Sequence, residues 1–128
     1  MRFRDLEKKG RWLPEENPSS LTKWYLSVRD IPLDMLDVGD VCRALRQNLF
    51  VSEVLPIAVA LLEDDVLAGE LYDGELIVAL AGLNAGYWQE NKNLAHKAVN
   101  ALGEAGKLSK DVELLRDVSA LVDFLVAL

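Results

Sequence analysis

The stretch Gly69-Glu70-Leu71-Tyr72-Asp73-Gly74-Glu75-Leu76-Ile77-Val78-Ala79-Leu80-Ala81-Gly82-Leu83 decides the fold. Its first half is acidic and turn-like, and its second half is apolar. Asp73 reads as the cap of a helix whose first turn holds Gly74 and Glu75, because an Asp oxygen accepts from backbone N–H groups that a helix start leaves orphaned. Glu75 then lies against the positive end of the helix dipole. Residues 76–83 contain no polar side chain. A helix that is apolar on every face belongs in the middle of a domain, so the other helices are expected to pack around it.

Upstream, residues 54–62 are also apolar throughout. They predict a second buried helix, capped by Ser52, with Pro56 in its first turn, where a missing N–H costs little. Glu63-Asp64-Asp65 closes it, although acids at a helix C-terminus oppose the dipole. Before that, Asp37-Val38-Gly39-Asp40 resembles a capping box. Val38, Val41, Cys42, Leu45 and Leu49 follow as one helical stripe, with Arg43, Arg46 and Gln47 off it. Leu21, Trp24, Tyr25 and Val28 recur at helical spacing behind a Ser19 or Ser20 cap. A strand is the rival reading there, since Trp24, Leu26 and Val28 also alternate with polar neighbours. Pro32 ends that segment. Residues 1–18 read as a polar entry segment in which Pro14 and Pro18 forbid a continuous helix.

Downstream, Asn84, Gly86 and Tyr87-Trp88 read as a connector with an aromatic anchor. Asn91 opens a helix with Leu94, Ala95, Ala98, Ala101, Leu102 and Ala105 on one side, and Gly106 is its expected stop. Ser109 or Asp111 starts the last helix. Val112, Leu115, Val118, Val122 and Leu125 form its stripe, widened by Leu114, Leu121 and Phe124. The expectation is an all-α fold: one compact domain over residues 1–128, with about six helices around two buried central ones.

Composition narrows the function classes. The chain has 128 residues, 51% of them apolar and 27% charged, as in an ordinary globular protein. The longest charge-free run, residues 76–89, is fourteen long, short of the roughly 18–20 that cross a bilayer. The first residues are charged and lack the apolar core of a signal peptide. A single cysteine, Cys42, excludes an internal disulfide and fits a reducing compartment. The expected location is the cytoplasm, with no membrane partner. Net charge is −7, but residues 30–90 alone carry twelve Asp/Glu against Arg43 and Arg46. Such a segment repels nucleic acid, whose phosphates need a basic face, and suits a basic protein partner.

Catalytic motifs are few. His96 is the only histidine and has no Cys, Asp or Glu at helical spacing, which leaves no His/Cys zinc set and no Ser-His-Asp arrangement. Cys42 lies on an apolar stripe and reads as core. Gly69 and Gly74 are each followed by an acid, which repels phosphate. No catalytic residue, metal ligand set or cofactor is expected. One carboxylate-rich group needs weighing: Glu63, Asp64, Asp65, Glu70, Asp73 and Glu75. Acids on neighbouring helices can hold Mg²⁺ and activate water on a phosphate ester. All-helical nucleotide phosphohydrolases are built so, but their acids are spaced pairs along two helices, whereas these occupy helix ends and a turn. The simpler expectation is that Arg46 pairs with Glu70, Asp73 or Glu75 and holds two helices in register.

The pattern Asp40-Val41-Cys42-Arg43-Ala44-Leu45-Arg46-Gln47, then Leu55-Pro56 and an apolar helix, then Gly69-Glu70-Leu71-Tyr72-Asp73-Gly74-Glu75-Leu76, resembles the immunity proteins of contact-dependent growth inhibition systems. The resemblance covers about residues 33–88, and its signature positions are Arg46, Gln47, Tyr72, Asp73, Gly74 and Glu75. It implies a small, helical, cytoplasmic, non-catalytic protein that neutralises the C-terminal toxin domain of a surface-delivered effector. Such toxins are often nucleases, frequently directed at tRNA, and a basic nuclease cleft would match the acidic middle of this chain. On that reading Glu63, Asp64, Asp65 and Glu70 are the expected toxin-binding acids. The second reading, from a different class, is a metal-dependent nucleotide phosphohydrolase using the six carboxylates.

Overall fold

The computed structural model describes residues 1–7 and 19–128. The expectations about Pro14 and Pro18 fall outside the described residues. The chain divides into two compact units, residues 1–37 and residues 38–128. Among the described residues both are helical, and the only extended pairing is an isolated antiparallel bridge between Arg2 and Pro32.

The first unit contains α1 (Phe3–Leu6), α2 (Ser20–Val28) and a 3₁₀ turn, Leu33–Met35. The helical reading of residues 21–28 holds over the strand reading. Ser19 accepts the Thr22 N–H at 3.1 Å, a side-chain cap that only a helix start needs. Glu7 ties the N-terminal stretch to α2. Its carboxylate accepts from the Arg29 guanidinium at 2.7 Å and from the Tyr25 hydroxyl. Phe3 is buried against the rings of Trp24 and Tyr25, with centroids 6.5 and 5.8 Å away. The entry segment is therefore polar only in part, since residues 3–6 form a turn of helix around Phe3.

The second unit is α3 (Val38–Arg46), α4 (Val51–Asp64), α5 (Glu75–Ala81), α6 (Ala85–Gln89), α7 (Lys92–Leu102), α8 (Ala105–Leu108) and α9 (Val112–Val126). Helix α4 packs against α3, α7 and α5, and α5 packs against α3 and α9. These are the two central helices that the apolar runs predict, but neither is buried on every face: Val78 and Ala81 of α5 and Pro56 and Ala60 of α4 are exposed. Val54, Leu55, Ala58, Val59 and Leu62 of α4 and Leu76, Ile77 and Leu80 of α5 are buried. Each large side chain so placed contributes about 1.5–3 kcal/mol. Ala95 and Ala98 are the buried side chains in the middle of α7, and their small size lets α7 lie close to α4.

Several boundaries differ from the sequence reading. Helix α4 begins at Val51, not after Ser52, so Pro56 lies inside it. Its cap position is Phe50, whose backbone is left-handed at φ 46°. Phe50 O already accepts the Glu53 and Val54 N–H groups, which starts the helix early. Pro56 leaves the Ser52 carbonyl without its usual donor, and that face is open to water. The connector at 84–88 is a short helix, capped by Asn84 on the Gly86 N–H, with Trp88 buried. Helix α7 ends at Gly103 rather than Gly106, and Gly106 lies in α8. In α9, capped by Asp111, the buried stripe is Leu114, Val118, Leu121 and Leu125. Val112 and Phe124 are exposed, because burial follows the side of α9 that meets α5 and α7. Among the described residues the six long helices are those expected, and three short ones are added.

Leu80 is fully buried where α5 meets its neighbours. Leu80→Asp is expected to abolish cooperative unfolding and most helical circular dichroism, since an unpaired buried charge costs several kcal/mol against a total of about 5–15 kcal/mol. A native-like melt of that variant would contradict the central placing of α5.

Candidate functional site

Two helix ends and one loop make the site. Helix α3 stops in a Schellman motif. Asn48, left-handed at φ 53°, gives its N–H to Leu45 O at 3.1 Å, and Leu49 gives its N–H to Ala44 O at 2.9 Å. Asn tolerates this backbone because its short polar side chain can bond locally. Leu49 is thus the residue after the stop and not part of the helical stripe. Arg46 becomes the last helical residue, where a cation meets the negative end of the dipole. Gln47 follows in the cap position and is exposed.

The loop between α4 and α5 folds back on itself. The Gly74 N–H reaches Leu67 O at 2.9 Å, and the Leu76 N–H reaches Ala68 O at 3.1 Å. Val66 and Ala68 are buried beneath it. At its centre lies the Glu75 carboxylate, only 1% exposed. Oε1 accepts the Glu70 N–H at 2.8 Å and the Leu71 N–H at 3.2 Å. Oε2 accepts from the Arg46 guanidinium at 2.9 Å. Burial acts to raise the Glu75 pKa, but the two backbone N–H groups and Arg46 outweigh it and hold it below the usual carboxylate range. The expected Arg46–acid pair therefore exists, and Glu75 is its partner.

Asp73 does not cap α5. Gly74 holds the cap position at φ 86°, without a side-chain bond, and Asp73 is exposed. The donors that Asp73 would serve are taken by backbone carbonyls: the Glu75 N–H goes to Tyr72 O, and the Leu76 N–H to Ala68 O. Glu75 is likewise not a solvated first-turn acid but the buried anchor of the loop. Both glycines are sterically required. A Cβ on Gly69 would collide with Tyr72 O, and one on Gly74 would come within 2.5 Å of Leu114 Cδ1.

The other acids separate. Glu63 and Asp64 are exposed at the end of α4. Asp65 is exposed too, but its Oδ1 accepts the Leu67 N–H at 3.0 Å, so it has a local role in turning the chain. The Glu70 carboxyl lies against Gly39, on the first turn of α3, where the dipole favours an anion. Among the described residues no three His, Cys, Asp or Glu side chains gather into a group able to hold a metal ion. A shallow groove of about 330 Å³ opens beside Arg46, between Leu45, Asn48, Val78, Ala79 and Gly82, and none of the six carboxylates lines it. Cys42 is buried beside this network, and burial, followed by the charge of Glu75, pushes its thiol up to about 12. His96 is exposed on α7.

Sequence reasoning passed over one feature. Leu71 is 74% exposed and Tyr72 is 51% exposed at the tip of the loop. The available signal was an apolar pair enclosed by Glu70 and Asp73 and flanked by Gly69 and Gly74, a spacing that turns side chains outward.

Fold and site together define a small all-helical protein whose distinctive surface is an acidic loop clamped from within. A family model described as CDI immunity proteins matches residues 5–98. The chain belongs to that family. No curated protein matches it.

Glu75→Ala is expected to cost about 2–5 kcal/mol, because it leaves two backbone N–H groups of a closed loop without their acceptor. Arg46→Ala is expected to cost only about 1–2 kcal/mol, since Arg46 is 41% exposed and solvent screens it. Urea unfolding of both single variants and the double variant measures the coupling; equal costs for the two single variants would contradict the geometry.

The pH dependence has a definite sign. A carboxyl with a lowered folded pKa adds stability that is fully present above its unfolded value, about 4.3, and that is lost as pH falls through the folded value. Glu75 has this sign, and so does Glu7, held down first by its bond from Arg29. The melting temperature should fall steadily from pH 5 toward pH 3, and Glu75→Gln should flatten that fall. A parent profile level over this range would rule out the linkage.

Proposed function

We propose that this chain is the immunity partner of a contact-dependent growth inhibition effector. In this reading it acts in the cytoplasm, binds the effector's C-terminal toxin domain and blocks it by occlusion, without catalysis or a cofactor. The observation that carries the reading is family membership over residues 5–98. The toxin is proposed to be a basic, nuclease-like domain. Support comes from the charge of residues 30–90, where twelve acids stand against two arginines. It also comes from the exposure of Glu63, Asp64, Asp65, Glu70 and Asp73 on and beside one loop. Opposed charge steers encounter and can raise association from about 10⁵–10⁶ to about 10⁸–10⁹ M⁻¹s⁻¹ at low salt. Inhibition of a toxin that turns over repeatedly demands a minute free fraction, and the tightest nuclease–immunity pairs reach about 10⁻¹³ M and below.

The phosphohydrolase reading has no observation in its favour. Glu75 is committed to Arg46 and two backbone donors, and Asp65 to Leu67. Among the described residues no helix is long and apolar enough to cross a membrane.

The test is protection. Where an effector gene lies beside the gene for this chain, cells expressing its C-terminal toxin domain should survive when this chain is co-expressed and die without it. The purified pair should form a complex in which neither chain is altered in mass. Glu63→Lys with Asp64→Lys should slow association at least tenfold at low salt and flatten its salt dependence, while the melting curve stays put. Association as fast as the parent's would move the steering surface away from the end of α4.

A further inference from the structure

We propose that Leu71 and Tyr72 are the anchoring contact with the toxin domain, inserting into an apolar socket rimmed by Lys and Arg. This rests on the immunity reading and adds to it which residues hold the complex together once charge has brought the partners into contact.

Single exposed apolar residues are ordinary on any surface. These two differ in how they are held. The Leu71 N–H and the N–H before it are both bonded to the buried Glu75 carboxylate. The loop is closed below them by the Gly74-to-Leu67 and Leu76-to-Ala68 backbone bonds. The fold therefore takes a charge out of water and pairs it with Arg46, while Leu71 and Tyr72 stand outside the core, 74% and 51% exposed. Folding gains little from those two side chains. Binding gains from a rigid presentation, because a side chain already fixed in place loses less freedom on docking. Tyrosine is among the residues enriched at the energetic centres of interfaces, where an apolar anchor is ringed by polar groups that exclude water. Here the pair lies between Glu70 and Asp73 in the sequence, and Glu63 and Asp64 are exposed at the end of α4, where the loop begins.

Charge selects the occupant. An exposed apolar pair with an acid on either side of it in the sequence, in a segment with ten more acids than bases, is complementary to an apolar socket bordered by cations. A second copy of this chain would set acid against acid on that surface.

The two roles separate kinetically, since rim charges act on association and desolvated anchors on dissociation. The probe is the toxin domain of the neighbouring effector, made inactive at its catalytic residue and immobilised. Leu71→Ser, Tyr72→Ala and the double variant are compared with the parent, and Val112→Ser on α9 is the control. Tyr72→Ala is expected to raise the dissociation rate constant about 30-fold or more, with association within about twofold and the melting curve unchanged. Tyr72→Phe should restore most of the residence time. If the parent binds and the double variant leaves as slowly, the tip is not the anchor, although the immunity reading stands. A change confined to association gives the tip a steering role and overturns the proposal. If the parent neither binds nor protects, the immunity reading fails and this proposal fails with it.

Discussion

One carboxylate removed from water sets the terms for the second unit. Glu75 sits at the first turn of α5, nearly inaccessible, and an ion there is tolerable only if its lone pairs are answered. Three donors answer it: two backbone N–H groups from the loop that precedes it and one guanidinium from the end of α3. Each donor imposes a constraint of its own. The backbone donors require the chain to curl tightly over Glu75, which leaves no room for a side chain at Gly69 and demands a positive φ at Gly74. The guanidinium requires α3 to end at Arg46, and the left-handed Asn48 ends it there. The carboxylate thus links the C-terminal end of one helix to the N-terminal end of another through a loop whose shape it fixes.

The long helices were legible because apolar spacing is a direct record of which face is buried. The pairing of Arg46 with an acid was legible for a similar reason: a cation just off an apolar stripe, in a segment nearly bare of cations, has few ways to be satisfied. Which acid it meets was not legible. Asp73 has the better residue type for a helix cap, and Glu75 looks like a routine first-turn acid. What reversed their roles was tertiary. Once Gly74 adopts φ 86°, the chain turns Asp73 outward and Glu75 inward, and backbone carbonyls from residues 68 and 72 take over the capping. Local propensity cannot register an acceptor that arrives from an earlier turn of the chain. The exposed faces of α9 were misjudged for a related reason. A stripe containing Leu114, Leu115, Leu121, Val122 and Phe124 is broad enough to be rotated either way, and only the neighbouring helices settle the rotation.

Acids at the end of α4 oppose its dipole, but they do not all stand alike. Asp65 has a purpose within the fold, since it receives the Leu67 N–H that starts the loop. Glu70 gains from lying on the first turn of α3. Glu63 and Asp64 remain exposed at the unfavourable end of the α4 dipole.

One short loop carries both the buried clamp and the exposed tip. Gly69, Gly74 and Glu75 face inward and fix the loop, Glu70 lays its carboxyl against Gly39 of α3, and Leu71, Tyr72 and Asp73 face outward. An ion pair is not what raw stability would select here, because well-packed apolar residues often replace buried pairs at no loss. An apolar residue at position 75 would nevertheless leave the Glu70 and Leu71 N–H groups with no acceptor, at roughly 1–3 kcal/mol each. They would then turn to water, and the tip would lose its shape. An acceptor at 75 is needed because two amides of the outer loop must be held from the inside, and its charge adds the bond from Arg46. That requirement exists only if the loop has to keep one conformation. A loop serving merely to join α4 to α5 could close on fewer constraints. The constraints on this one exceed what joining two helices requires, and the proposed anchoring role of its tip would account for the excess.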